Sequence, residues 1–225
     1  MLSSCGSETA SGEDRTADTA QVELVITSTD REGRLVMSGA YDYRRRQGSV
    51  TIKLEGTENA ETDAPSEVRF FGDLFYSEMP WEGKTYWVAD TEERGIGHLD
   101  QVVVPFAGGE IDPEHALRVI LGRATPNELG REDLRGVSTA HYRVRLEPKD
   151  VSSELGGRPI DVEAGPLEAE VWADDADRLR RLRFAEQDAT LTYDFFDFGV
   201  DVEVERPPED QVVAPAEFDR ITEDM

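Results

Sequence analysis

The feature that most constrains this chain is a repeated alternation of apolar and polar residues with period two. It recurs in short segments from residue 21 to beyond residue 200. Alternation of this kind places one apolar face on each segment and is the signature of half-buried antiparallel strands. Gln21 to Thr29 sets Val22, Leu24 and Ile26 on one face. Arg34 to Arg44 does the same with Leu35, Met37, Tyr41 and Tyr43, and Ser49 to Leu54 with Val50, Ile52 and Leu54. Glu55 to Ser66 is a polar loop. Glu67 to Tyr76 and Lys84 to Ala89 then read as a hairpin closed through "MPWEG".

Two interruptions read as helices. Asp112, Pro113 and Glu114 supply an N-cap, a proline at the first helical position and an early acid, and Gly122 supplies a stop. Between them Ala116, Leu117, Ile120 and Leu121 form an apolar stripe. Thr125, Pro126, Asn127 and Glu128 have the pattern of a capping box, which predicts a second helix ending near Arg135-Gly136. Strands resume at His141 to Leu146, Leu167 to Trp172, Leu179 to Phe184 and Ala189 to Phe196. The alternation of Val200, Val202 and Val204 predicts a closing strand before Pro207-Pro208. Residues after Pro215 are acidic, with at most a short helical turn.

The order is about five strands, a helical insertion, then four strands. This predicts an α+β domain over residues 21–213: a large curved antiparallel sheet of about nine strands with a few helices on one face. Residues 1–20 precede it as a start and tether, and residues 214–225 follow as an acidic tail. A single-layer sheet must cover its apolar face. One convincing amphipathic helix leaves room there for a cavity that could take an apolar ligand.

Charge narrows the partners. Asp and Glu number 49 against 24 Lys and Arg, a net charge of −25. Such a surface repels phosphate backbones, so nucleic acid is not an expected partner. No run reaches the roughly 18–20 apolar residues of a membrane helix, so a membrane association would be a tether rather than an insertion.

The single cysteine, Cys5, offers that tether. Leu2-Ser3-Ser4-Cys5-Gly6 looks like a bacterial lipobox, in which the cysteine thiol receives diacylglycerol. Ser7 to Ala20 is built almost wholly of Ser, Thr, Gly, Ala, Asp and Glu, too polar to bury a core and suited to a flexible link. The alternative is an incidental thiol in a loose terminus. The basic and apolar regions of a signal peptide do not precede Cys5. The anchor reading therefore expects an in-frame basic start and an apolar run upstream of Met1.

Four segments stand out: Gly136-Val-Ser-Thr-Ala-His-Tyr-Arg-Val, Glu170-Val-Trp-Ala-Asp-Asp leading into Leu179-Arg-Arg-Leu-Arg-Phe, Asp197-Phe-Gly-Val-Asp-Val-Glu-Val-Glu-Arg-Pro-Pro, and Tyr76 with Trp81-Glu-Gly-Lys-Thr-Tyr-Trp-Val-Ala-Asp. Together they resemble a known family, the LppX/LprAFG lipoproteins of actinobacteria. The matches run, with gaps, from about residue 22 to 213. The resemblance implies a half-barrel of antiparallel strands shared with the carrier LolA and the sensor domain of RseB, with helices partly closing a greasy cavity. It implies export, anchoring through a lipobox cysteine at the extracytoplasmic face of the cell membrane, and in several members the carriage of lipids. One departure stands out: such proteins usually have an amphipathic helix before the first strand, and Ser7 to Ala20 has no apolar stripe. The cavity would then be open, or collapsed onto its own aromatics.

The residues expected to line it are Leu117, Ile120 and Leu121 on the helix, with Tyr41, Tyr43, Phe70 and Trp87 on the strands. Core packing explains the same residues. Arg44-Arg45-Arg46 and the basic run from Arg178 to Arg183 read as solvated strand faces, or as a contact to anionic headgroups. No catalytic residue, metal site or cofactor is expected. Phosphate loops and nucleophile elbows are absent, and His98, His115 and His141 do not share one element. Asp174-Asp175-Ala176-Asp177 resembles a calcium loop but lacks its glycine and terminal glutamate, so a hairpin turn is expected there. The expectation is a monomeric, non-enzymatic, membrane-anchored binder of an apolar or lipidic ligand. The alternative is an envelope sensor or scaffold of RseB type that binds another protein and has a vestigial cavity.

Overall fold

The computed structural model of the chain describes residues 18–29, 32–56, 65–91, 112–147, 166–186 and 189–223. Cys5, His98 and the tether up to residue 17 lie outside them, as does most of the polar loop after Glu55.

The strands are β1 (Thr19–Ser28), β2 (Arg34–Asp42), β3 (Gln47–Glu55), β4 (Ser66–Phe71), β5 (Leu74–Trp81) and β6 (Lys84–Thr91), followed by helix α1 (Pro113–Arg123). After it come β7 (Asn127–Leu134), β8 (Val137–Leu146), β9 (Leu167–Asp174), β10 (Leu179–Glu186) and β11 (Ala189–Phe196). A two-residue β12 (Val212–Val213) and helix α2 (Pro215–Glu223) end the described chain. All twelve strands belong to one open, curved sheet in the order β12-β6-β5-β4-β3-β2-β1-β11-β10-β9-β8-β7. Every pairing is antiparallel except β12 with β6.

The sheet has more strands than the alternation alone suggests, and each difference has a local cause. The segment 67–76 is two strands, because Gly72-Asp73 makes a two-residue turn within it. "MPWEG" turns only at Glu82-Gly83, both in the left-handed region, while Met79, Pro80 and Trp81 stay in β5. The segment 127–134 is strand β7, not a helix. It carries no apolar stripe, Gly130 sits at φ 134°, and its backbone pairs along β8. The capping signal at Thr125-Pro126 is overridden by tertiary pairing.

Val200, Val202 and Val204 do not form a strand. The chain after β11 instead crosses the sheet. It starts at β1, where Thr19 Oγ1 donates to the Val200 carbonyl at 2.7 Å, and it reaches β4, where Arg69 donates to the Glu205 carbonyl at 3.0 Å. Arg206 then donates to the Tyr76 hydroxyl of β5 at 2.9 Å, and Val212 pairs with Trp87 of β6. Val202 is buried along this path. The acidic end is longer than a turn: α2 has nine residues, and its Phe218 packs against Tyr86 with centroids 5.8 Å apart.

Candidate functional site

Register divides the sheet into two faces of different chemistry. On the inner face, direct cross-strand partners form a continuous apolar row: Tyr142, Val171, Leu182, Tyr193, Leu24, Met37 and Ile52, one from each strand between β8 and β3. A second row runs Ala20, Tyr41, Gly48, Phe70 and Phe75 from β1 to β5. Tyr41 and Phe70 meet edge to face at 6.2 Å, and the Phe70 and Phe75 rings lie tilted to each other at 6.4 Å. Direct pairs of this kind are the unit of sheet stabilisation, and aromatic pairs are among the stronger ones.

Helix α1 lies on this face against β8 and β10. The Asp112 side chain caps it by accepting from the Glu114 amide at 2.8 Å, with Pro113 following. Ala116, Leu117, Val119 and Ile120 are buried, and Leu121 packs against the same core. Tyr43, just past β2, completes the cluster with its ring 5.2 Å from that of Tyr41. Its hydroxyl is buried and has no hydrogen-bond partner among the described residues. Burial, together with the charges of Asp112 and Tyr41, pushes its pKa well above the usual tyrosine value.

Six of the seven expected lining residues therefore share the inner side: Tyr41, Tyr43, Phe70, Leu117, Ile120 and Leu121. Trp87 does not. It pairs with Glu78 and faces outward, where the Arg69 guanidinium lies 4.3 Å over its ring. Its burial, which the sequence suggested was inward, comes from that arginine and from the crossing chain. Tyr193 and Phe195 are as buried on the inner face as Tyr41, and the alternation of residues 189–196 signalled them equally.

The outer face of β7 to β11 is a charged lattice. Arg143 and Arg183 both contact Glu170 at 3.3 Å, and Arg145 contacts Glu168 at 3.4 Å. Arg181 forks onto Asp194 at 2.5 and 2.7 Å. The basic run from Arg178 to Arg183 is thus paired with acids of neighbouring strands. Cavities bounded by described residues include one of about 380 Å³ between Arg143 and Arg183 on this face. Another, of about 750 Å³, lies between Arg44, Arg45 and residues 199–202. Asp174 is a turn residue: its carboxylate accepts from the amides of Ala176 and Arg178 and from the Arg178 and Arg180 side chains. Among the described residues, no cluster of three metal-ligating side chains occurs, and no helix is long and apolar enough to cross a membrane.

Two solved structures share this architecture over most of both chains. LprF from Mycobacterium bovis superposes with a TM-score of 0.54 at 14% identity, covering 84% of this chain and 89% of that one. The Mycobacterium tuberculosis lipoprotein LppX gives 0.52 at 12% identity, covering 84% and 90%. The chain has the LppX-like fold. At these identities the likeness is one of fold alone. No protein-family model matches the sequence, and neither does any curated protein. Within the LppX-like half-barrel, the inner face under α1 is where this chain concentrates its aromatic and aliphatic surface.

Proposed function

We propose that this protein is an exported lipoprotein, anchored at the extracytoplasmic face of the membrane through Cys5, that holds an apolar or lipidic ligand against the inner face of its sheet. Binding is passive and no chemistry is done on the ligand. The observation that carries the reading is the uncharged apolar row from Tyr142 to Ile52, with the amphipathic helix α1 laid against it. An acyl chain placed there leaves water with a gain of about 25 cal/mol per Å² of apolar surface, and needs no specific polar contact to stay. Tyr41, Tyr43, Phe70, Leu117, Ile120 and Leu121 line the site. The fold shared with LppX, itself a lipoprotein, supports both the anchor and the binding role.

Native mass spectrometry of the protein from its own host tests the binding role. The expected result is a bound lipid mass, lost on delipidation and regained on incubation with host lipids. A clean unliganded mass together with no uptake would overturn the reading and turn attention to a protein-binding sheet. For the anchor, Cys5→Ser is expected to move the protein from the membrane fraction to the soluble one. Unchanged fractionation would refute lipidation at Cys5.

A further inference from the structure

Among the described residues, three buried polar side-chain atoms have no hydrogen-bond partner: the Tyr43 hydroxyl, Trp81 Nε1 and His141 Nε2. His141 Nε2 stands 3.9 Å from a Glu170 oxygen, so its ring has an acceptor close by. Trp81 ends β5 beside the Glu82-Gly83 turn. Tyr43 differs from both, since its ring belongs to the inner-face cluster and its neighbour there is Tyr41. Burying a hydroxyl without a partner is unfavourable, and such groups in a folded protein call for a specific reason.

We propose that the Tyr43 hydroxyl is the polar contact of the inner-face site, donating to a neutral carbonyl, of an ester or amide, on an otherwise apolar ligand. The inference rests on the ligand-binding reading above and specifies the chemistry of what binds. Two features select a neutral acceptor. First, Tyr43 stands in the apolar inner-face cluster, and after burial itself the charge of Asp112, the cap of α1, is a cause of its raised pKa. A carboxylate or phosphate placed there would meet a like charge where water cannot screen it, whereas a carbonyl would not. Second, burial and that same charge keep the hydroxyl protonated, so it remains a donor across the physiological range. The hydrocarbon part of the ligand then lies along Tyr41, Phe70 and Phe75, which follow one another across β2, β4 and β5.

The test is displacement of a fluorescent apolar dye from the delipidated protein by hexadecane, methyl palmitate and palmitate. The wild type is expected to bind methyl palmitate most tightly. Tyr43→Phe should lose about three- to tenfold in affinity for the ester and nothing for hexadecane, the size of one neutral hydrogen bond. Its melting temperature should be no lower than that of the wild type, because the hydroxyl it removes satisfies nothing in the unliganded fold. Asp112→Asn keeps a capping side chain and removes the charge, so it should raise the affinity for palmitate. Unchanged ester binding in Tyr43→Phe overturns the proposal. Equal loss for ester and alkane with a lowered melting temperature also overturns it, since that marks a packing role. Unchanged palmitate binding in Asp112→Asn overturns the choice of a neutral acceptor. A wild type that binds none of the three probes overturns the ligand-binding reading itself.

Discussion

His141 lies flat on Trp172, with ring centroids 4.1 Å apart and planes inclined by 11°. Glu132 fastens the pair from the neighbouring strand: one of its oxygens is 2.9 Å from His141 Nδ1, and the other accepts from Trp172 Nε1 at 3.0 Å. Edge strand β7 is thereby pinned to β8 and β9 on the outer face. Arg181 continues the lattice, 5.7 Å over the Trp172 ring and paired to Asp194 of β11.

The pin makes the sheet edge sensitive to acid. The hydrogen bond from Trp172 holds the Glu132 carboxyl below its ordinary value of 4.5; burial opposes this, and His141 adds to it. A carboxyl depressed in the folded state contributes stability above its unfolded pKa and loses it as the pH falls through the folded value. Amide exchange in β7 is therefore expected to accelerate as the pH drops below about 4.5, once corrected for intrinsic exchange rates. Glu132→Gln should abolish that pH dependence, and β1 and β11 should not respond. Uniform acceleration across all strands would refute a local pin.

Asp174 carries the β9–β10 turn, with its side chain almost fully buried and two arginines on it. Asp174→Ala leaves Arg178 and Arg180 without their acceptor and is expected to cost about 3 kcal/mol in urea unfolding. Asp175→Ala, next in sequence and exposed, should stay within about 0.5 kcal/mol of the wild type. Similar losses in the two variants would refute the special role of Asp174.

Gly39 sits where the second strand passes close to the third. A Cβ there would collide with the Ser49 carbonyl oxygen, a backbone atom that cannot step aside. Gly39→Ala is expected to lower stability by about 3 kcal/mol, while Ser38→Ala on the exposed side of the same strand should be nearly silent. Calorimetry of the pair decides it, and an unchanged midpoint for Gly39→Ala would refute the close approach.

Arg69 ties the crossing C-terminal segment to the sheet. It pairs with Glu67 through both guanidinium branches, covers Trp87 and donates to the Glu205 carbonyl. Arg69→Ala should expose Trp87, seen as a red shift and gain in quenching of its emission in a Trp81→Phe/Trp172→Phe background. Arg69→Lys should restore little, since an ammonium cannot fork. An unshifted emission in Arg69→Ala would show that the segment stays down without it.

The curved antiparallel sheet and its inner-facing residues were legible because alternation is enforced by burial of one face. Val22, Leu24, Met37, Tyr41 and Phe70 all obey it. Helix α1 was legible from its cap and stripe. Four features were not, and each depends on distant chain. Residues 127–134 carry a helix-start signal but pair with β8. The valines at 200, 202 and 204 alternate like a strand yet cross the back of the sheet. Trp87 reads as inward because a large aromatic on a strand ordinarily marks the core, whereas here Arg69 and the crossing segment cover it from outside. The Glu132–His141–Trp172 arrangement joins residues up to 40 positions apart and has no local signature.

β1 lies in the middle of the sheet, with β2 on one side and β11 on the other. Among the described strands this one is made first, yet its second ladder waits for residues 189–196, the last full-length strand among them. Until then the nascent chain holds two partial sheets, each with a raw edge able to pair with a neighbouring polypeptide. The β1–β11 ladder is therefore the one that joins the two halves of the sheet. Slowing translation between residues 147 and 189 lengthens the interval in which those edges are open and should raise the yield of misassembled chains.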